Sequence, residues 1–147
     1  MIDKKHIGKE YAPVVVDVEK GQLRFFAKAV SETNPIYFDE AAAKAAGHPS
    51  LPAPPTFAFS LELAVPDPFE WMTEMGVDLG KVLHGGQTFE YSGQIYAGDT
   101  ISLKRKITDI FDKKNGALEF VVTQTLIENQ AGVQVGKAIS TTVVRHA

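Results

Sequence analysis

The sequence predicts an α+β fold, with helices in the first half of the chain and an antiparallel sheet in the second. Three observations predict it. Leu23, Phe26, Ala27 and Val30 fall at i, i+3, i+4 and i+7, one apolar stripe of a helix. A strongly apolar stretch at 56–65 lies between Pro54-Pro55 and Pro66, and its composition predicts a helix buried on nearly all sides. Beyond it, four β-patterned stretches follow one another, separated by turn residues.

Taken in order, residues 1–12 are a polar lead-in. The β-branched run Val14-Val15-Val16 predicts an early strand. The helix that starts near Glu19 must end by Pro35, because the residue before a proline avoids the α region. Residues 39–46 predict a short alanine-rich helix, which Gly47 closes. Pro49, Pro52, Pro54 and Pro55 then break regular structure before the apolar helix. Residues 66–83, with Trp71 and Met72, predict a loop with one helical turn that covers the start of the sheet. Strands are predicted at 87–94, 100–111, 118–129 and 132–145. Their turns are Ala97-Gly98-Asp99, Lys113 to Gly116 and Asn129 to Gly132.

Composition narrows the function. A chain of 147 residues, 44% hydrophobic and 22% charged, predicts one globular domain over 1–147. A net charge of −3 with scattered basic residues argues against nucleic acid as a partner. Lys104-Arg105-Lys106, the tightest basic cluster, reads as the solvated face of a strand. The chain has no cysteine, so disulfides, thiolate metal sites and a cysteine nucleophile are excluded. No His or carboxylate spacing predicts a metal site, and no serine has a G-x-S-x-G context. The polar N-terminus and the lack of a long apolar run predict a cytoplasmic protein without membrane contact.

One group of motifs is more specific. Asn34-Pro35-Ile36-Tyr37-Phe38-Asp39, Ala46-Gly47, Ala53-Pro54-Pro55-Thr56-Phe57, Leu83-His84-Gly85-Gly86-Gln87 with Phe89 and Tyr91, and Ala97-Gly98-Asp99-Thr100 occur in this order. Together they resemble the MaoC-like dehydratase family, and within it the FAS1-like N-terminal dehydratase branch. That branch includes the A-type and C-type subunits of (3R)-hydroxyacyl-ACP dehydratases. The resemblance implies a hot-dog fold, an antiparallel sheet wrapped around a central buried helix. It also implies exchange of water across the Cα–Cβ bond of an acyl-CoA or acyl carrier protein thioester, with no cofactor. Such sites are built between two hot-dog units, so a homodimer, or a heterodimer with a catalytic hot-dog subunit, is implied.

The chain departs from the family's active pattern where protons are handled. The family's Asp falls on Glu32, its Asn on Asn34 and its His on Tyr37. A tyrosine of ordinary pKa, about 10, is a neutral hydroxyl at pH 7 and a poor base. Glu32 keeps a carboxylate but carries it about a bond length further out, enough to cost on the order of a hundredfold in rate. Residue chemistry leaves a second reading open: Glu32 and Asn34 as turn-forming residues before Pro35, and Tyr37 as half-buried packing. The start of the apolar helix offers backbone N–H groups to a thioester carbonyl. Since Pro54 and Pro55 have none, Thr56 and Phe57 must supply them. Downstream, Phe57, Phe59, Leu63, Trp71 and Met72 are candidates for an acyl channel, or for core. The expectation is therefore a substrate-holding dehydratase or hydratase subunit that depends on a catalytic partner. A self-sufficient homodimer using Glu32, a non-catalytic thioester-binding module and, last, a thioesterase are the alternatives.

Overall fold

The computed structural model describes residues 1–146. Its sheet has five strands: β1 (Val14–Asp17), β2 (Val82–Tyr91), β3 (Thr100–Lys113), β4 (Leu118–Glu128) and β5 (Gln134–Arg145). Their order is β1-β3-β4-β5-β2, and every neighbouring pair is antiparallel. β1 and β2 therefore form the two edges. Four α-helices accompany them: α1 (Lys20–Ala29), α2 (Glu40–Ala45), α3 (Phe57–Glu62) and α4 (Glu70–Glu74). This is the α+β hot-dog architecture, with α3 against one face of a curved sheet.

Local chemistry explains most of the elements. α1 buries Leu23 and Ala27 and packs half-buried Phe26 against the core, while Val30, the last residue of the predicted stripe, follows the helix and is exposed. Asp39 caps α2 by accepting a hydrogen bond from the Ala41 N–H at 2.9 Å. Gly47 follows α2 with φ +92°, the left-handed conformation that closes helices. In β4 burial alternates without a break, so Glu119, Val121, Thr123, Thr125 and Ile127 share the inner face.

The core has two lobes. One joins α3 (Phe57, Ala58, Leu61) to α1 (Leu23) and to Ile101, Leu103, Ile127 and Ala138 of the sheet. The other joins Trp71 and Met72 of α4 to Ile107, Ile110, Val121 and Val144. Between them lies a polar seam on the inner face of the sheet, with Arg105, Thr123, Thr125 and Thr142.

Three expectations are corrected. The apolar helix covers six residues, Phe57–Glu62, rather than 56–65. Thr56 is left-handed (φ +73°) and cannot join the helix, while the last turn tightens through bonds such as Ala64 N–H to Leu61 C=O at 3.2 Å, ahead of Pro66. Within the helix Phe57, Ala58, Leu61 and Glu62 are buried and Phe59 and Ser60 half-buried, while Leu63 just beyond is 42% exposed. β2 begins at Val82, earlier than 87, because His84-Gly85-Gly86 forms a bulge instead of breaking the strand. A Cβ on Gly85 would lie 2.6 Å from Val143 Cγ2, so only glycine fits there. Finally, the basic cluster is split by the strand's two-residue period. Lys104 and Lys106 pair outside with Glu128 and Glu10, but Arg105 turns inward to Glu62.

Candidate functional site

Tyr37 lies in a 3₁₀ turn, Pro35–Tyr37, that follows the end of α1. Asn34 shapes this turn locally: its Oδ1 accepts a hydrogen bond from the Ile36 N–H at 3.2 Å. Glu32 is held by its backbone, whose N–H donates to the Ala27 carbonyl at 2.9 Å after Ser31 takes a positive φ. Its half-buried carboxylate has no hydrogen bond to protein among the described residues. Partial burial pushes the Tyr37 hydroxyl above its ordinary pKa, and the nearby negative charge of Glu32 adds to the shift. Tyr37 is thus a neutral hydroxyl that can donate or accept a hydrogen bond but is a poor base.

Tyr37 lines a cavity of about 140 Å³ together with Pro54, Pro55, Thr56, Tyr91 and Gln94. The proline-rich segment is fixed against this wall by pairing with residues 95–97. Ala53 N–H donates to Ile95 C=O at 2.8 Å, and Ala97 N–H to Leu51 C=O at 2.9 Å. The expectation of unpaired amides at the start of α3 is not met. Thr56 N–H donates to the Tyr91 hydroxyl at 3.1 Å, and Phe57 N–H to the Pro54 carbonyl at 3.2 Å. A carbonyl that binds Thr56 must displace the Tyr91 hydroxyl, which stands on an edge strand and is largely exposed.

The candidate acyl-channel residues separate. Phe57 is buried in the core, with its ring edge-on to Phe26 at 5.3 Å. Phe59, Leu63, Trp71 and Met72 line a different cavity, of about 230 Å³, between α3, α4 and the sheet. Its mouth is beside Leu83 and His84 on β2, and the His84 ring packs edge-on against Phe59 at 5.6 Å. Its inner end carries Glu62 and Arg105, joined at 2.6 Å, with the guanidinium over the Trp71 ring at 5.0 Å. Sequence reasoning missed Tyr91, Glu62 and Arg105 as site residues. Glu62 did leave a signal, as the only charge inside an apolar helix.

The histidines lie elsewhere. His48 Nδ1 is 3.1 Å from the Tyr96 hydroxyl, His146 pairs with Glu119, and the cavity that Tyr37 lines contains no histidine.

The five-stranded antiparallel sheet with α3 against one face is a hot-dog, dehydratase-like fold. The chain belongs to the family of the FAS1-like, dehydratase domain region, whose profile matches residues 5–138. A UPF0336 protein of Leifsonia xyli is 39% identical over 94% of this chain and 92% of its own. Another, from Thermobifida fusca, is 35% identical over 98% and 94%. Among solved structures, the HadBC (3R-hydroxyacyl-ACP dehydratase) complex of Mycobacterium tuberculosis is similar at 30% identity, with a TM-score of 0.78 over 94% of this chain and 96% of that one. A chain of the ChsH1–ChsH2 complex of the same organism shares the fold at 21% identity and a TM-score of 0.73, over 92% and 84%.

Proposed function

We propose that this chain is the substrate-holding subunit of a (3R)-hydroxyacyl-thioester dehydratase or enoyl-thioester hydratase. A hot-dog partner bearing an Asp/His pair supplies the acid–base chemistry. The observation that carries this reading is a neutral Tyr37, its hydroxyl pKa raised by burial and by the charge of nearby Glu32, lining a cavity that contains no histidine. Hydration needs a base that takes a proton from water and an acid that protonates Cα. Tyr37 is pushed away from the first role, and a lone carboxylate does not fill both efficiently. The cavity under α3 and α4 opens at the β2 edge, where a second hot-dog unit would sit, so an acyl tail crossing from the partner would enter it. The named heterodimeric complexes among the structural relatives support the same arrangement.

The test is hydration of crotonyl-CoA by the chain alone and by the chain co-expressed with a neighbouring hot-dog subunit. Little turnover alone and full turnover in the complex is the expected result. Turnover by the chain alone that is lost in Glu32→Gln would instead assign a self-sufficient homodimer. Release of free CoA would assign a thioesterase.

A further inference from the structure

The cavity beneath α3 and α4 does not end in a hydrocarbon floor. On its far side lies a second cavity, of about 350 Å³, which opens near Tyr11 and Pro13 beside β1. Glu62, Pro68, Trp71 and Arg105 line both. These four residues are therefore the partition between two spaces that would otherwise be continuous along the inner face of the sheet. We infer that the Glu62–Arg105 ion pair is a specificity-determining wall that restricts this subunit to short acyl chains. The inference rests on the reading that the cavity at the β2 edge holds an acyl tail.

The physical argument concerns what a longer tail would have to displace. The side chain of Glu62 is 6% exposed and that of Arg105 19%, so the pair is held largely out of water. Glu62 Oε1 and Arg105 Nε are buried with no hydrogen-bond partner. Pushing methylenes past the pair would separate two charges in a poorly solvated space and put hydrocarbon against both. Trp71 behind the guanidinium keeps it from swinging aside. A short tail stays among Phe59, Leu63 and Met72 and never meets the charges. The pair also contributes poorly to stability, because a buried pair with unfilled hydrogen-bonding atoms is readily matched by apolar residues. A role in selecting ligands accounts for its presence better than a role in holding the fold.

The experiment compares butyryl-, octanoyl- and palmitoyl-CoA binding to the wild-type chain and to Glu62→Leu/Arg105→Met. Trp71, the sole tryptophan, lines the cavity, so its fluorescence reports on filling. Calorimetry gives the same constants for the co-expressed complex. The wild type is expected to prefer butyryl- over palmitoyl-CoA by about tenfold or more, and the double variant to lose most of that preference. Equal affinity for all three chains in the wild type, or an unchanged preference in a folded double variant, would overturn the wall. The wild-type series decides the matter even if the variant does not fold. No binding of any acyl-CoA, by the chain or the complex, would overturn the thioester reading and the wall with it.

Discussion

Tyr37 carries a hydroxyl that its surroundings hold in the neutral form. Burial raises its pKa first and the charge of Glu32 second, so both penalise the phenolate. The folded-state pKa therefore lies above the unfolded value of about 10. The corresponding stability is fully present below that value and is lost as pH rises through the raised folded pKa. In an ultraviolet titration of the tyrosines, we expect Tyr37→Phe to remove a component that ionises above the ordinary tyrosine range. Glu32→Gln should bring that component to lower pH, and an unmoved titration would separate the two side chains. Asn34 carries the complementary lesson. Its side chain is occupied with the Ile36 N–H, so the turn reading describes what it does in the fold.

Thr56 decides where α3 begins. Its φ of +73° is a conformation that β-branched residues rarely adopt, and it leaves Tyr91 as acceptor for its N–H. Thr56→Gly should relieve that strain and raise stability by about 1 kcal/mol, measured by urea unfolding. No gain would mean that the backbone relaxes without cost. The helix was legible in the sequence through its apolar run and flanking prolines, and so were α1, α2 and the four long strands. Its length was not legible, because a positive φ at threonine has no sequence signature. The extension of β2 through His84-Gly85-Gly86 was hidden for a similar reason. Two glycines read as a break until a close neighbour such as Val143 makes one of them a bulge.

β2 is a ten-residue edge strand with one side unpaired, and it exposes Leu83 and Tyr91. Such an edge invites pairing with another strand. Under the proposed function it is where the partner hot-dog unit docks. Leu83→Glu is therefore expected to weaken that association by about tenfold or more while leaving the fold intact, as read by light scattering after gel filtration. An unchanged assembly would move the interface to another surface. The same edge borders both the Tyr37 cavity, through Tyr91, and the acyl cavity, through Leu83 and His84. A partner seated there would close both at once.

The sequence by itself determined the α+β class and the order of helices and strands, and it places a carboxylate, Glu32, and a phenol, Tyr37, on either side of Pro35. These follow from local periodicity and residue chemistry, which are carried by neighbours in the chain. Only the tertiary structure decided that the amides of Thr56 and Phe57 are engaged, and that Arg105 leaves its basic neighbours to meet Glu62. Those facts depend on groups far apart in sequence, 43 residues in the case of that ion pair, brought together by the packing of α3 on the inner face of the sheet. Periodicity tells which way a side chain points, but not what is waiting on the other side.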